Sequence, residues 1–347
     1  MSVALTHGAK KNVGDYLIHS RARKLWKHLA PEVDLFSVPR WEAAALPLDA
    51  QSLILCGGPG FTPRMVEGVF PIVKTALERD IPISGLALGW QGLPKRNPGS
   101  FAMTARSVAT LRSIANSGAP ISVRDDVTQD IARQFGIDTI RTGCSAWYSI
   151  PDLGRTPLPT SESPQTIVYT TPAQPSNTRE SIAIMRALRR KFRGARLIAS
   201  FHRGIRPDVQ TTKKQSAPLI AQAAAARVLG FEVRDVSYDL SKIDFYRESD
   251  LHIGYRVHAH LDYVSRRMPS ILISEDGRGF GQTETLHGKN HVLWAGSKNL
   301  LERLDRRLTT EISGGWPSLA HAVDVIENSY PVMREVILTQ AILGSRA

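Results

Sequence analysis

Short β-rich runs alternate with helical runs along almost all of this sequence, and that alternation restricts its fold more than any other feature. In the first half, residues 52–55, 81–88 and 121–123 are such β-rich runs, and apolar residues at helical spacing follow them. The same order returns in the second half, with strand runs at 166–169, 196–201, 251–255 and 270–273. Repeated strand-helix-strand units predict parallel sheets that helices cover on both faces.

The length of the chain favours two domains, because a single hydrophobic core rarely grows beyond about 250 to 300 residues. The chain has 347 residues, and residues 151–165 are rich in Pro, Ser, Thr and Gly without apolar periodicity, as in an interdomain linker. We therefore expect an α/β protein with two Rossmann-like domains, 1–150 and 166–347, which face each other across a cleft. The segment after Trp294 is expected to be helical and to pack back on the first domain.

The net charge limits the kinds of partner, and the cysteine content limits the disulfide and metal sites, that this chain can have. The 44 basic residues exceed the 32 acidic ones, which gives a formal net charge of +12 and favours anionic partners. No zinc finger, basic zipper or basic stripe with interleaved aromatics is present, so nucleic acid is not an expected partner. The two cysteines cannot form a disulfide framework or a four-ligand zinc site.

The sequence predicts a cytoplasmic protein. No apolar run reaches the roughly 18 to 20 residues that cross a bilayer, and no signal sequence is recognisable at the N-terminus. The densest basic stretch, residues 186–196, has two interpretations. It is either a solvated helix face or a surface that contacts a polymer or the inner face of the membrane.

The first half offers two groups of candidate site residues. Asn12 and Asp15 lie in a glycine-containing turn before a predicted helix at 16–29, where free backbone N–H groups stand beside a carboxylate. Simple N-capping by Asp15 is the alternative. Gly57 and Gly58 follow a predicted strand and allow a ligand to approach the backbone, although a plain structural turn explains them equally well.

The richest stretch of the second half lies where the strand 251–255 gives way to a helix. Arg256 and His258 stand at the start of this helix, where the helix dipole and a guanidinium both favour an anion. His258 can donate a proton near neutral pH or hold a second oxygen. A metal site is disfavoured, since His252 lies on the strand while His258 and His260 diverge on the helix.

Two other strand ends in this half carry charged side chains. Glu275, Asp276 and Arg278 follow the strand 270–273, and adjacent carboxylates beside an arginine suit proton transfer and the orientation of a hydroxyl. An exposed acidic turn is the alternative interpretation. The end of the strand 196–201 carries His202, Arg203 and Arg206.

In their order and spacing these motifs resemble the polysaccharide pyruvyl transferase family, and the resemblance covers most of the chain. Its strongest element is Gly254-Tyr255-Arg256-Val257-His258-Ala259, which is similar to the Arg-x-His-Ala signature of the family and precedes a strand led by Pro269. The weaker elements are Asn12-Val13-Gly14-Asp15, Gly57-Gly58, Gly89-Trp90-Gln91-Gly92 and Ser122-Val123-Arg124-Asp125.

The chain departs from the family pattern at two places. Gly143-Cys144-Ser145-Ala146-Trp147 stands where the family commonly has Gly-Asp-Pro. Glu275-Asp276-Gly277-Arg278 stands where many members have a lysine. Both places are expected near the cleft, so they bear on the identity of the acceptor.

The resemblance implies a fold like the two-domain GT-B glycosyltransferases and a specific reaction. The pyruvyl group of phosphoenolpyruvate would move to a sugar diol of a glycan, a glycan precursor or a lipid-linked saccharide, with a ketal formed and phosphate released. Arg256 and Arg203 would neutralise the donor, with Arg206 behind them, and His258 would hold or protonate the leaving group. Asp15 or Glu275 would orient the acceptor hydroxyl. The remaining substrate-binding candidates are His202, Asn12, Gly57, Gly58, Arg124, Asp276 and Arg278.

This scheme needs no cofactor and no metal, because arginines can supply the charge stabilisation. Two other functions are compatible with the same residues. The first is a glycosyltransferase of the same architecture that uses a nucleotide sugar. The second is a relative that binds a glycan or an anion without catalysis.

Overall fold

The computed structural model describes residues 2–92, 101–156 and 163–345. The strands of its first sheet are β1 (Ser2–His7), β2 (Asp34–Pro39), β3 (Ser52–Cys56), β4 (Pro59–Phe61), β5 (Ile83–Trp90), β6 (Ile121–Val123) and β7 (Ile140–Arg141). They are all parallel, in the order β2-β1-β3-β5-β6-β7, with β4 beside the end of β5. The helices of this part are α1 (Val13–Leu29), α2 (Ile72–Glu78), α3 (Ala105–Asn116) and α4 (Asp126–Gln134).

The second sheet is parallel as well. Its strands are β8 (Thr166–Thr170), β9 (Arg196–Phe201), β10 (Glu232–Asp235), β11 (Leu251–Gly254), β12 (Ser270–Ser274) and β13 (Leu293–Trp294), in the order β10-β9-β8-β11-β12-β13. The helices are α5 (Thr178–Lys191), α6 (Lys213–Val228), α7 (Val257–Ser265), α8 (Gly277–His287), α9 (Leu300–Ser313) and α10 (Pro317–Ser345). The predicted α/β architecture with two parallel sheets is therefore confirmed.

Burial on both faces explains why these strands read as continuous apolar runs. Every residue of β3 and of β5 is buried, as are all residues of β11 and β12. Strands that helices cover on both sides lose the polar alternation of a solvated sheet. The central strand β1 is not predicted from the sequence, although four of its six residues are buried.

One predicted helix is broken in the structure. Apolar spacing predicts a helix over 65–79, whereas residues Met65–Val69 form a single π-helical turn and α2 starts only after Pro71. The proline ring restricts the backbone of the residue before it and removes a donor, so the regular helix begins after this position. The central part of the predicted linker, residues 157–162, lies outside the described residues.

The long helix α10 returns from the second sheet to the first. Gln340 donates a hydrogen bond to the carbonyl of Gly85 in β5 at 3.0 Å, and Arg141 in β7 donates to the Ser329 hydroxyl at 2.7 Å. A buried ion pair also joins the two halves, since Arg21 of α1 donates to Asp262 of α7 at 2.9 Å.

The carboxyl ends of the two sheets meet. The backbone N–H of Val13, after β1, donates to the carbonyl of His202, after β9, at 3.2 Å. The N–H of Gly277, after β12, donates to the carbonyl of Gly92, after β5, at 2.8 Å. Since ligands of open α/β sheets bind at the carboxyl ends of the strands, a ligand is expected to bind at this junction.

Within the described residues, no helix combines the length and the apolar character that a membrane crossing requires.

Candidate active site

Arg256 is a buried cation without a carboxylate partner. It precedes α7 in an extended conformation and is 8% exposed. Its Nη2 donates to the carbonyl of Pro172 at 3.0 Å, while its Nε is buried and makes no hydrogen bond with any described residue. Burial lowers the pKa of Arg256 to about 10, so the guanidinium remains charged at neutral pH. A buried charge without compensation is costly, and a bound anion would remove that cost.

A glycine allows this arrangement. Gly254 ends β11 with a φ of +150°, and a Cβ there would collide with the carbonyl oxygen of Thr170 in the neighbouring strand β8. The Thr170 hydroxyl accepts the backbone N–H of Arg256 at 3.2 Å. The close approach of β8 and β11 therefore places Arg256 at the edge of the sheet.

Arg256 lines a cavity in the second domain with about 800 Å³ of empty space, part of it open to solvent. Arg203 lines the same cavity and is exposed, and its guanidinium makes no hydrogen bond or ion pair with any described residue. The structure thus brings together the two arginines that the sequence assigns to the donor. The other walls are apolar or amide-bearing and include Pro172, Leu219 and Gln222.

His258 lies one position inside α7 and faces the first domain. It is 7% exposed, and its ring makes no hydrogen bond with any described residue. Gly14 of α1 packs against it so closely that a Cβ on Gly14 would lie 2.5 Å from the His258 Nδ1. Burial, together with the nearby Arg278, Arg124 and Arg256, lowers the pKa of His258 to about 3. The imidazole is therefore neutral at pH 7 and offers one N–H donor and one nitrogen acceptor.

Asp15 does not cap its helix, so the capping interpretation is wrong. The N-terminal cap position of α1 is Asn12, which makes no side-chain cap bond. The carboxylate of Asp15, in the first turn, instead accepts a hydrogen bond from the Asn12 amide at 3.1 Å, while Asn12 Oδ1 is buried without a partner among the described residues. Burial raises the pKa of Asp15, against the opposing effects of this hydrogen bond and of Arg40, Arg278 and Arg203. A carboxylate with a raised pKa is suited to accept a proton.

Gly57 and Gly58 form a tight turn that follows β3, with φ values of +59° and +68°. The carbonyl of Gly58 accepts hydrogen bonds from the backbone N–H groups of Gly60 and Gly89, both at 3.1 Å. A Cβ on Gly58 would lie 2.7 Å from Nη1 of Arg40. The turn therefore requires glycine both for its backbone and for the arginine beside it.

Arg40 is a site residue that the sequence does not predict. It follows β2, and its backbone N–H donates to the carbonyl of His7 at 3.1 Å. Together with Asp15 and the Gly57-Gly58 turn it lines a second, smaller cavity in the first domain. Its position directly after a predicted strand at 33–38 is the signal that could have identified it.

Glu275 anchors a loop rather than facing a substrate. One of its carboxylate oxygens accepts the N–H of Ala173 at 2.7 Å, and the other accepts the N–H of Gln174 at 2.9 Å and the Asn177 amide at 2.8 Å. This loop forms one wall of the Arg256 cavity. We therefore assign Glu275 a positioning role instead of the predicted orientation of the acceptor.

Asp276 has a structural role too, since its side chain accepts the backbone N–H of Arg278 and caps α8. It also forms an ion pair with the Arg278 guanidinium at 2.7 Å. Arg278 lies close enough to act on the pKa values of Asp15 and Arg256. Asp276 thus fixes the position of the Arg278 guanidinium.

Arg124, His202 and Arg206 line neither cavity, and the same holds for Asn12, His258, Glu275, Asp276 and Arg278. Arg124 is 2% exposed, and its guanidinium donates hydrogen bonds to the Asp125 carboxylate at 3.2 Å and to the carbonyl of Trp90 at 2.7 Å. His202 is buried against Tyr246, whose hydroxyl lies 2.7 Å from Nε2. Arg206 is exposed and makes no hydrogen bond or ion pair with any described residue. Protein partners occupy the buried side chains of Arg124 and His202, and Arg206 is exposed outside both cavities, so these three assignments are corrected.

A further contact that the sequence does not predict holds the cavity wall. Lys11, just before α1, binds Asp208 at 2.7 Å and the Thr211 hydroxyl at 2.6 Å. Thr211 lines the Arg256 cavity. The first domain thereby fixes a loop of the Arg256 cavity.

In the part of the chain that the structure describes, no three His, Cys, Asp or Glu side chains form a group that could hold a metal ion. The ring nitrogens of His252 bind the hydroxyls of Thr170 and Ser270 at 2.9 and 2.7 Å. His260 faces Ser270 and His287.

Comparison with known proteins assigns the chain to a family. A family model described as polysaccharide pyruvyl transferase matches residues 12–261, which is more than two thirds of the chain. The protein belongs to the polysaccharide pyruvyl transferase family. The match includes Asp15, Arg203, Arg256 and His258, so this pyruvyl transferase carries both domains' candidate residues inside the matched region. No curated protein matches the sequence.

Several solved structures share the fold of this chain. The apo structure of OtsA has a TM-score of 0.55 at 12% identity, with 97% of this chain and 98% of that chain covered. The Methanocaldococcus jannaschii UDP-GlcNAc 2-epimerase has a TM-score of 0.56 at 10% identity, with 96% and 99% covered. A structure described as trehalose-6-phosphate from E. coli bound with UDP-2-fluoro glucose has a TM-score of 0.52 at 15% identity, with 87% and 75% covered. At such low identity these similarities show the fold alone, which is the GT-B arrangement of the predicted class.

The family makes the protein a transferase of polysaccharide biosynthesis, as predicted.

Proposed function

We propose that this pyruvyl transferase uses phosphoenolpyruvate as its donor and a sugar diol of a glycan or lipid-linked saccharide as its acceptor. The observation that carries the proposal is the buried Arg256 guanidinium, which lines a cavity with Arg203 and lacks a carboxylate partner among the described residues. Phosphoenolpyruvate is a small, highly charged anion, and arginine binds phosphate and carboxylate through paired hydrogen bonds.

The reaction needs one proton delivered to the donor and two protons removed from the acceptor. Protonation of C3 makes C2 of the enol ester electrophilic, and the first acceptor hydroxyl adds to C2. The bond between C2 and the phosphate oxygen then breaks, and phosphate leaves with the electron pair. The second hydroxyl closes the ketal at C2. One of the two hydroxyl protons replaces the proton used at C3, and the other leaves with phosphate.

The residues divide these tasks between the two domains. Arg256 and Arg203 neutralise the phosphate and carboxylate of the donor and stabilise the charge of the leaving phosphate. His258, neutral in the free protein, donates its N–H to a phosphate oxygen, and the bound anion raises the pKa of the ring so that it can pass on a proton. Asp15 lies on the first domain with a raised pKa and accepts the proton of the attacking hydroxyl.

The test is phosphate release from phosphoenolpyruvate across a panel of glycan acceptors, with Arg256→Gln as the variant. Each charge-assisted hydrogen bond contributes about 1.5 to 3 kcal/mol, so the loss of two such bonds lowers kcat/KM about a hundredfold or more. Arg186→Gln is the control, because Arg186 is exposed on α5 and makes no hydrogen bond or ion pair with any described residue. Near-normal turnover by Arg256→Gln would reject the assignment.

The same panel separates the two other functions. Binding of UDP in place of phosphoenolpyruvate by the wild-type protein would indicate a nucleotide-sugar glycosyltransferase. Protection against heat by phosphoenolpyruvate, without phosphate release for any acceptor, would indicate an anion-binding relative.

A further inference from the structure

The small cavity of the first domain shares no lining residue with the Arg256 cavity. The empty space is about 260 Å³ with open solvent included, but the centre of a water molecule fits in only about 10 Å³ of it, so the cavity has room for one small group. Its walls come from the carboxyl ends of β1, β2 and β3 and from the first two turns of α1, and they include His7, Asp15, His19, Arg40, Gly57 and Gly58. The cavity therefore lies on the domain that carries Asp15, on the acceptor side of the proposed reaction.

Arg40 is an uncompensated charge in this cavity. Its Nε is buried without a partner, and its guanidinium makes no hydrogen bond or ion pair with any residue of the described part of the chain. Asp15 is near enough to act on the pKa of Arg40, but it is not within ion-pair distance. Burial lowers the pKa of this guanidinium, which shows that it has lost part of its hydration.

The guanidinium is also held in one place. Its Cζ lies 5.4 Å from the centre of the Trp41 ring and 5.7 Å from that of Phe70. On its other sides it packs on two glycines, since a Cβ would lie 3.0 Å from Cζ at Gly8 and 2.7 Å from Nη1 at Gly58. A cation fixed by aromatic rings and by backbone contacts is preorganised for a ligand and needs little reorganisation to bind it.

The charged groups around the cavity are the cations Arg40 and Lys10 and the carboxyl groups of Asp15 and Glu42, and burial raises the pKa of Asp15. Burial lowers the pKa of His7, and it lowers the pKa of His19 to about 4, so both rings are neutral at pH 7. Lys10 adds a second positive charge nearby, with its Nζ 3.8 Å from the centre of the Trp41 ring. Asp15 is the acidic residue among the cavity walls.

We propose that the Arg40 cavity binds an oxyanion group, a phosphate or a carboxylate, on the acceptor sugar, and that the enzyme thereby selects acidic acceptors. The proposal rests on the proposed function, because it takes the first domain as the acceptor side. Arg40 binds the acidic group, while Asp15 lies beside it to accept the proton of the attacking hydroxyl. An arginine matches either oxyanion through its paired N–H groups.

The experiment compares three acceptors of one sugar series: a hexose 1-phosphate, a hexuronic acid methyl glycoside and a neutral methyl hexoside. Phosphate release from phosphoenolpyruvate is measured for the wild type, Arg40→Gln, Arg40→Lys and the exposed control Arg186→Gln. We expect the wild type to prefer one or both acidic acceptors by about tenfold or more, and the stronger of the two identifies the oxyanion. Arg40→Gln should lose that preference, because phosphate release falls more for the acidic acceptors than for the neutral one, while the KM for phosphoenolpyruvate stays within about threefold of wild type.

A calorimetric titration with the hexose 1-phosphate and with the hexuronic acid, without phosphoenolpyruvate, separates this proposal from the function on which it rests. Binding that Arg40→Gln abolishes and Arg40→Lys partly retains supports the cavity even if no acceptor releases phosphate, a result that would refute the donor assignment alone. The proposal would be overturned if Arg40→Gln lost phosphate release equally on the acidic and the neutral acceptors. It would also be overturned if Arg40→Gln bound the two acidic sugars as tightly as the wild type does. If Arg40→Gln does not fold, judged by thermal unfolding, Arg40→Lys decides, because a full wild-type preference in that variant would exclude paired recognition by arginine.

Discussion

The contact between Gly14 and His258 allows a test that separates helix stability from function. Gly14 is the second residue of α1, is buried and has no positive φ. Alanine favours a helix over glycine by about 1 kcal/mol, so the helix itself gains from Gly14→Ala. The added methyl group would lie 2.5 Å from Nδ1 and 3.0 Å from Cβ of His258, whereas ordinary contacts begin near 3.4 Å. The imidazole must therefore move by about 1 Å.

That displacement sets the expected size of the effect. A hydrogen bond to a charged group is worth about 1.5 to 3 kcal/mol, so losing the His258 bond to the donor phosphate lowers kcat/KM for phosphoenolpyruvate by about 10- to 150-fold. The assay is phosphate release at a saturating acceptor concentration, with thermal unfolding measured on the same samples. We expect the melting temperature to change little.

The control is Gly194→Ala, since a Cβ at this exposed glycine meets no atom within 4 Å. The double variant Gly14→Ala with His258→Ala should be about as active as His258→Ala alone, because the ring is gone and only the milder contact with Cβ, at 3.0 Å, remains. Retention of more than half of the wild-type kcat/KM by Gly14→Ala, or additive losses in the double variant, would refute the reasoning.

Two further predictions concern stability. Asp262→Asn leaves the buried side chains of Arg21 and Arg266 without their carboxylate partner, so the free energy of unfolding should fall by about 3 to 5 kcal/mol, measured by urea denaturation. Burial lowers the pKa of His252 and of His258 to about 3, below the value near 6.5 of the unfolded chain, so both rings are neutral in the fold and take up a proton on unfolding in mild acid. The contribution of the two neutral rings to the free energy of unfolding is therefore fully present above about pH 6.5 and is lost as the pH falls towards 3. For each histidine, about 1.4 kcal/mol of unfolding free energy is lost between about pH 7.5 and about pH 5.5.

Each stability prediction has a matched comparison. Asp130→Asn removes an ion pair with Arg133 in which both side chains are 68% exposed, and should cost less than about 1 kcal/mol. A similar small loss for Asp262→Asn would contradict the buried-pair argument. For the pH dependence, His252→Gln should reduce the loss of unfolding free energy in acid. An unchanged slope of the unfolding free energy against pH would contradict the lowered pKa of His252.

Features that depend on neighbouring residues could be predicted from the sequence. The alternation of strands and helices follows from local apolar spacing and from glycines after strands, and it predicts both parallel sheets. The pair Arg256 and His258 could be identified for the same reason, since a strand end and a helix start lie within a few residues of each other. The break of the helix at Pro71 could have been predicted as well, because proline acts locally.

Hydrogen-bond partners could not be predicted in this way. Arg124, Arg203 and Arg256 all follow strands, yet Arg124 is bound by Asp125 and a carbonyl, while the other two line the donor cavity. Glu275 is of the residue type that a catalytic carboxylate requires, but both of its oxygens accept hydrogen bonds from the loop at 173–177. The partners of Glu275 lie about 100 residues away, and the carbonyl that Arg124 binds lies 34 residues away, so a local pattern does not encode either contact.

The sequence alone determined the fold class, the family motifs and the charge that attracts an anion, because each of these follows from residue type and short-range spacing. Only the tertiary structure decided which charged side chains have no hydrogen-bond or ion-pair partner among the described residues. Arg40 and Gly58 come from different strands, and Gly14 and His258 come from different domains, so their contacts exist only after the sheets have packed. Burial then decides protonation, because the same imidazole that titrates near neutral pH in the unfolded chain is held neutral beneath the junction of the two sheets.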